Sequence, residues 1–270
     1  MSHTDEPRSR CRCSGTRERQ SNAILYNILS RQEDCEPTPP ERPGCSSPPN
    51  SCHCETPRTV CLRTPDETCQ GASAVLVKTI RFMRSLPSFQ QLPPCDQLAL
   101  LRACWTPVFI LGLAQDGLDF QVSETPACGL LKSILLNGPE PHSATAPPTG
   151  RAQPTLPAVH KLKACLHKFW SLDLTPKEYA YLKGAMLFNP DVPHLKAALF
   201  IEGLQQEAQH ALQEVVLPLH PHDHGRFARI LLTASTLKTI NPSLVTELFF
   251  RPIIGPANLL ELLAEMLFMR

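Results

Sequence analysis

The stretch FMRSLPSFQQLPPCDQLALLRACW, residues 82–105, decides the fold of this chain. Its first residues end a run in which apolar side chains recur every three or four positions. Pro87 should end that helix, because helical backbone torsions are disfavoured for the residue before a proline. Asp96 is typical of a helix N-cap, and Leu98 and Leu101 follow along one face of a second helix. The stretch therefore predicts two amphipathic helices joined by a short loop.

Periodic apolar side chains continue on both sides of this stretch. The run Thr175-Pro176-Lys177-Glu178 carries a capping box with proline at the first helical position. No long alternating strand pattern occurs, although Phe120-Gln121-Val122 is typical of a short strand. Further helices are expected over 126–137, 159–169, 193–217, 224–239, 243–250 and 258–268. The sequence therefore predicts an all-α fold with helices layered around a leucine-rich core and at most a short β-hairpin.

Composition divides the chain into two parts. Residues 1–70 hold eight of the 12 Cys and nine Pro but one aromatic side chain, so they cannot bury enough apolar surface to offset the entropy of ordering. We expect this part to be mostly disordered, apart from a helical segment at 23–30. Residues 71–270 are expected to form the helical domain, interrupted by a flexible Pro-rich loop at 138–157.

Charge and hydropathy exclude two classes of partner. The net charge is +1 and the pI is near 7.6, so the sequence lacks the cationic excess of a nucleic-acid-binding protein. Ala103–Gln115 is the longest charge-free apolar run and has 13 residues, whereas a membrane span needs about 20. We therefore expect a soluble intracellular protein with neither a membrane nor nucleic acid as a direct partner.

The spacing of the deciding stretch resembles the signature of nuclear receptor ligand-binding domains. The matching residues are Phe82-Met83-Arg84, Phe89, Leu92, Asp96-Gln97, Leu100-Leu101 and Trp105. Near the end of the chain, 262–267 (LLAEML) resembles the activation-function helix of that family. The resemblance implies the layered ligand-binding-domain fold. It also implies an orphan receptor that regulates transcription and resides in the nucleus and the cytoplasm. The zinc sites of a receptor DNA-binding domain need CxxC pairs, and this sequence has none.

Two LxxIL triplets resemble the LxxLL motif that nuclear receptors recognise. An amphipathic helix carrying this motif lies in a receptor groove through apolar side chains at i, i+3 and i+4. The resemblance implies docking onto the ligand-binding domains of other nuclear receptors by two residue sets, Leu25, Ile28, Leu29 and Leu131, Ile134, Leu135. Packing against the domain's own core remains the alternative for both triplets, since any amphipathic helix can show this spacing.

The resemblance also implies a groove on this chain. Arg84 and Glu265 are expected to clamp the two ends of a bound helix, because its C-terminal carbonyls need a cation and its N-terminal amides an anion. The other groove residues are expected to be Gln97, Leu98 and Leu101 on the floor, with Leu262 and Met266 on the wall.

These features predict a non-enzymatic corepressor that competes with coactivators on other nuclear receptors and recruits corepressor proteins. Homodimerisation is compatible with this prediction, and no cofactor or catalytic residue is expected. The alternative is a sensor domain that binds an apolar small molecule in its core, in a cavity that Trp105, Phe109, Met186, Phe188 and Phe200 would otherwise fill. Zinc binding by the N-terminal Cys or by the loop His220–His224 is a weaker alternative, and the SxxK pattern at 235–238 lacks its companion motifs.

Overall fold

The computed structural model describes residues 58–126 and 153–269. Both LxxIL triplets, the expected N-terminal segment up to residue 57 and most of the expected loop at 138–157 lie outside the described residues. The elements in chain order are β1 (Arg58–Leu62), α1 (Pro65–Ser85), α2 (Pro87–Gln90), α3 (Pro94–Gln115), β2 (Val122–Pro126), α4 (Leu156–Leu172), α5 (Pro176–Leu187), α6 (Ala198–Leu219), α7 (Arg226–Ser235), a 3-10 turn (Thr236–Thr239), α8 (Pro242–Val245), a π-helical turn (Thr246–Phe250), α9 (Arg251–Ile254) and α10 (Leu259–Phe268).

Helices dominate the described residues, and one two-stranded sheet accompanies them. Strand β1 pairs antiparallel with β2, with Leu62 opposite Val122. We expected a strand at 120–122, but β2 begins only at Val122. Phe120 instead precedes the strand and is buried in the core. Pro126 ends β2, so the expectation that it opens a helix was wrong. Strand β1 and the first turn of α1 also precede residue 71, where we expected the domain to start.

Helix α3 is the central element of the domain. It packs against α1, α4, α5 and α10, and from Cys104 to Ala114 all its residues are buried. Among the described residues, this is the one helix that is long and apolar enough to cross a membrane. However, 72% of its most apolar window is buried within the domain, which is typical of a core helix.

Asp96 performs a different task from the one its sequence context indicates. Helix α3 begins at Pro94, so the expectation that Asp96 is its N-cap was wrong. The buried Asp96 carboxylate instead accepts from the backbone amides of Lys196 at 3.0 Å and Ala197 at 2.8 Å, immediately before α6. Burial opposes ionisation of Asp96, but these two amides outweigh it and lower its pKa. Asp96 therefore anchors the backbone immediately before α6, and this helix starts at Ala198 rather than at 193.

A buried ion pair joins the start of α5 to the start of α7. The Thr175 hydroxyl accepts from the Glu178 amide and the Glu178 carboxylate accepts from the Thr175 amide at 2.7 Å, which confirms the capping box. Arg226 Nε donates to this carboxylate at 3.1 Å, and its other nitrogens donate to the carbonyls of Leu172 and Asp173. Burial opposes ionisation of Glu178, but Arg226 and Thr175 outweigh it and lower its pKa.

Aromatic rings fill the interior between α3 and the π-helical turn. Phe109 has no exposed surface, and its ring centroid lies 5.3 Å from that of Phe250 and 6.2 Å from that of Phe249. The ring centroid of Trp105 lies 6.1 Å from that of Phe109 and 6.4 Å from that of Phe250, and Phe120 packs at 5.1 Å against Phe249. This interior is therefore occupied by side chains, which does not favour the alternative of an apolar ligand bound in the core.

We also expected Met186, Phe188 and Phe200 to fill this interior, and the structure confirms two of the three. Met186 and Phe188 are buried at the C-terminal end of α5, as expected. Phe200 is 47% exposed on α6, so its assignment to the core was wrong. The buried positions of α6 are Ile201, Leu212 and Val216, and Phe200 lies outside this buried face.

Candidate partner-binding groove

Helix α10 lies against α1 and α3 through one of its faces. Leu259, Leu263 and Leu267, four residues apart, are buried against the core. Leu262 and Met266 are half-buried on the neighbouring face of the helix, and Glu265 is exposed. The helical period thus separates the residues that hold α10 in place from those expected to form the groove wall.

Polar contacts set the start of α10. Asn258 Oδ1 accepts from the Leu260 amide at 3.1 Å and caps the helix. The preceding loop is held by Arg251, which donates to the carbonyls of Gly255 and Ala257. Arg251 also pairs with Glu247 at 2.8 Å, one helical turn earlier.

Arg84 reaches the opposite end of the same helix. Its Nη1 donates to the Met266 carbonyl at 3.5 Å, across 182 residues of sequence. This places a cation beside the C-terminal carbonyls of α10, where the helix dipole favours positive charge. Both Arg84 and Glu265 remain exposed on the surface of the domain.

The three expected floor residues differ in burial. Leu98 is half-buried, whereas Leu101 has no exposed surface and lies in the core. Gln97 Nε2 donates to the carbonyls of Leu92 at 2.9 Å and Gln90 at 3.2 Å. Gln97 therefore fastens the loop between α2 and α3, while Leu98 presents apolar surface.

Sequence reasoning missed several residues that build this region. Phe82 and Leu86, near the C-terminal end of α1, are half-buried and pack against the core beside Met83. The role of Arg251 was also missed. Its i,i+4 spacing from Glu247 is a signal for a helical ion pair, but nothing in the local sequence indicates bonds to the loop before α10.

A metal site was one of the weaker alternatives. Within residues 58–126 and 153–269, no group of three His, Cys, Asp or Glu side chains could hold a metal ion. His220–His224 lies in the connection between α6 and α7. Burial raises the pKa of Cys104 to about 12, so this thiol stays protonated near neutral pH.

Comparison with known proteins identifies the family. Residues 60–253 match the ligand-binding domain of nuclear hormone receptor. This chain belongs to the nuclear hormone receptor family. Nuclear receptors are transcription regulators of the nucleus and not enzymes, so the chain has that general role. The signature read from residues 82–105 is thereby confirmed.

Two groups of relatives cover most of this nuclear receptor chain. It is 50% identical over 260 residues to human nuclear receptor subfamily 0 group B member 2, covering 96% of this chain and 97% of the relative. The rat protein of the same name gives the same identity and coverage. Nuclear receptor subfamily 0 group B member 1 of Callithrix jacchus is 40% identical, and the match covers 96% of this chain but 57% of that protein.

A solved structure confirms the fold. The Ultraspiracle ligand binding domain from Drosophila melanogaster superposes with a TM-score of 0.54 and 25% sequence identity, covering 76% of this chain and 81% of that one. The all-α nuclear receptor ligand-binding-domain fold expected from the sequence is therefore correct.

Proposed function

We propose that this nuclear receptor is a transcriptional corepressor that acts by inserting its own LxxIL helices into the grooves of other nuclear receptors. An inserted helix excludes the coactivator that would use the same groove. The two docking segments are Leu25, Ile28, Leu29 and Leu131, Ile134, Leu135. This function requires neither a cofactor nor contact with DNA by the chain itself.

The chemistry of the two triplets supports docking. Each presents three aliphatic side chains on one helical face, and burial of each side chain contributes about 1.5–3 kcal/mol before the cost of ordering. The first triplet lies in a polar part of the sequence, between Arg19 and Glu33. An isolated apolar stripe of this kind gains most from a partner's groove, because few neighbouring residues in sequence can cover it.

The groove of this chain supports a second interaction, with corepressor proteins. Leu98, Leu262 and Met266 offer half-buried apolar surface on α3 and α10. Arg84 and Glu265 supply charges of opposite sign at its border. An amphipathic helix from a corepressor matches this combination of an apolar strip with charged ends.

One combination supports the proposal: the chain carries two LxxIL triplets together with half-buried apolar side chains where α10 packs on α1 and α3. In this proposal the LxxIL triplets are the docking helices, and the surface between α10, α1 and α3 is the groove. A chain with both halves can bind other receptors, bind corepressors, or pair with a second copy of itself. The proposal includes residence in the cytoplasm as well as in the nucleus.

Capture of purified receptor ligand-binding domains tests the proposal. The variants are the full-length doubles Leu25→Ala/Leu29→Ala and Leu131→Ala/Leu135→Ala. We expect at least one double to lose most of the capture while keeping the helical circular dichroism and thermal midpoint of the parent chain.

A matched control removes two leucines that are already exposed. Leu199 and Leu219 are 85% and 50% exposed on α6, so Leu199→Ala/Leu219→Ala should leave capture unchanged. Equal capture by all three folded doubles would refute docking through the triplets. Loss of capture in the control as well would show that general apolar surface, rather than the motif, binds the receptor.

A further inference from the structure

A pocket of about 130 Å³ lies between α3, the C-terminal end of α5 and the 3-10 turn that follows α7. Buried side chains form its floor, and Ala103, Lys238 and Pro242 are exposed at its mouth. Among the described residues that line it, none belongs to α1 or α10. The pocket is therefore separate from the groove between α1, α3 and α10.

The hydroxyl of Thr106 marks this pocket as a binding site. In the described part of the chain, Thr106 Oγ1 is the one buried side-chain oxygen or nitrogen that has no hydrogen-bond partner. A threonine inside a helix commonly donates to the carbonyl one turn earlier, as Thr79 Oγ1 does to the Val75 carbonyl at 2.9 Å. Because buried polar groups are normally paired, the pocket contains a hydroxyl whose partner an occupant can supply.

Pro107 leaves a second polar group without its usual partner. This proline lies inside α3 and has no amide hydrogen, so the carbonyl of Ala103 lacks the donor that a helix provides four residues later. Ala103 and Thr106 are three residues apart on α3, and both line the pocket. An occupant that donates to the carbonyl and accepts from the hydroxyl would satisfy both groups.

The lining has no unbalanced charge that would select an ion. At the mouth, Lys238 Nζ lies 3.8 Å from the Asp191 carboxylate. Burial raises the pKa of the Cys104 thiol to about 12, so this thiol is neutral. The rest of the floor is apolar and comes from Met186, Leu237 and Ile240. The pocket therefore favours a neutral occupant with an apolar body.

From these observations we infer that the pocket binds a small, neutral primary carboxamide, which donates to the Ala103 carbonyl and accepts from the Thr106 hydroxyl. A cavity of about 150 Å³ holds benzene, so this pocket admits a body of one small ring. A cluster of waters fits less well, because most of the floor offers no hydrogen bond. The site contains no residue of the groove or of the LxxIL triplets, so it goes beyond the proposed function and either can fail alone.

Methyl NMR signals of the full-length chain, 13C-labelled at its Met residues, provide the test. The probe is benzamide, whose ring should shift the methyl signal of Met186 in a saturable way. The signal of Met83, which is buried on α1, should not move. The Met186→Leu variant assigns the signal.

Two probes of the same shape separate the carboxamide from other ligands. Acetophenone keeps the carbonyl acceptor but has no N–H donor, and benzoate has a negative charge and no donor. We expect each to bind about three- to tenfold more weakly than benzamide, as the loss of one hydrogen bond implies. Equal or tighter binding of either probe would overturn the inference.

Substitutions at Thr106 test the hydroxyl itself. Thr106→Val keeps the volume of the side chain but should weaken benzamide binding about three- to tenfold, whereas Thr106→Ser keeps the hydroxyl and should retain binding. Thr233→Val is the matched control, because Thr233 lies on α7 outside the pocket and donates to the Arg229 carbonyl at 2.8 Å. Unchanged binding by folded Thr106→Val would overturn the inference.

Blocking the mouth separates this site from binding elsewhere. Ala103 is exposed there, so Ala103→Phe should abolish the Met186 shift, and Ala180→Phe on the exposed face of α5 should keep it. A shift that persists in folded Ala103→Phe would place the benzamide outside the pocket. No saturable shift in the parent chain would show that the pocket holds water alone. Either result would overturn the inference.

Discussion

Arg84 Nη1 donates to the Met266 carbonyl at 3.5 Å, which links the C-terminal end of α1 to the last turn of α10. In the resting domain, the cation of the expected charge clamp therefore faces the C-terminal end of the chain's own helix. A helix entering the groove from a partner needs the same cation for its own terminal carbonyls. We propose that a bound helix replaces this internal contact with an external one.

Replacing Arg84 by Ala should weaken the binding of a synthetic LxxLL peptide to this chain by about three- to tenfold, since one cation at the helix C-terminus is lost. Fluorescence anisotropy of the labelled peptide measures the effect. Arg81 is exposed one turn earlier on α1, so Arg81→Ala is the matched control and should bind as the parent does. Equal affinities for both variants would remove Arg84 from the groove.

The Asp96→Asn variant should lower the free energy of unfolding by about 1–2 kcal/mol, because the amides of Lys196 and Ala197 lose hydrogen bonds to a charged acceptor. Hydrogen exchange at the amides of Lys196 and Ala197 should become faster, while exchange within α4 should not change. Asp191 is exposed, with its carboxylate 3.8 Å from Lys238, so Asp191→Asn should leave stability nearly unchanged. Unaltered exchange before α6 would contradict anchoring of this backbone by Asp96.

The Glu178→Gln variant should lose about 3–5 kcal/mol at neutral pH, because the buried Arg226 would be left without its counter-charge. The folded-state pKa of Glu178 is lowered, so its contribution is complete above the ordinary carboxyl pKa of 4.5 and is lost as the pH falls below it. Urea titrations from pH 7 to pH 3 should therefore show the two chains converging in stability at acid pH.

The exposed Glu207 on α6 provides the matched control for this pH dependence. Glu207→Gln should follow the parent chain at every pH. If the difference between parent and Glu178→Gln stays constant down to pH 3, the ion pair is not the source of the stability.

Truncating Phe109 to Ala should cost about 3–5 kcal/mol, because its ring is fully buried among Trp105, Phe249 and Phe250. Benzene should raise the thermal midpoint of this variant but not that of the parent, in which side chains fill the same space. Phe200→Ala, at an exposed ring, should unfold like the parent.

Should Phe109→Ala fail to fold, Phe109→Leu leaves a smaller cavity and a smaller loss of stability. Stabilisation of the parent chain by benzene would show an open cavity in the core and would revive the sensor alternative.

Much of the architecture was predictable from local patterns. The end of α1 before Pro87, the capping box at Thr175 and the start of α10 after Asn258 were all placed correctly. Each depends on residues within one or two turns of chain, and the local chemistry of proline and helix caps is enough to fix such boundaries. The family signature over 82–105 then supplied the fold.

Local patterns failed where distant groups compete for the same residue. Asp96 has the residue type and the position typical of a local helix cap, yet its carboxylate accepts from a backbone amide 100 residues away. Phe200 has the hydropathy of a core residue, yet α6 leaves it at the surface. In both cases the outcome depends on which helices meet, and sequence spacing alone does not contain that information.

The sequence by itself determined the helical class, the family and the two LxxIL triplets, because each follows from residue types at short, regular separations. Only the tertiary structure decided that Arg84 meets Met266, that Gln97 fastens a loop, and that Asp96 bonds to the amides before α6. These relationships arise when packed helices bring together side chains far apart in sequence, and the free energy of burial selects that arrangement.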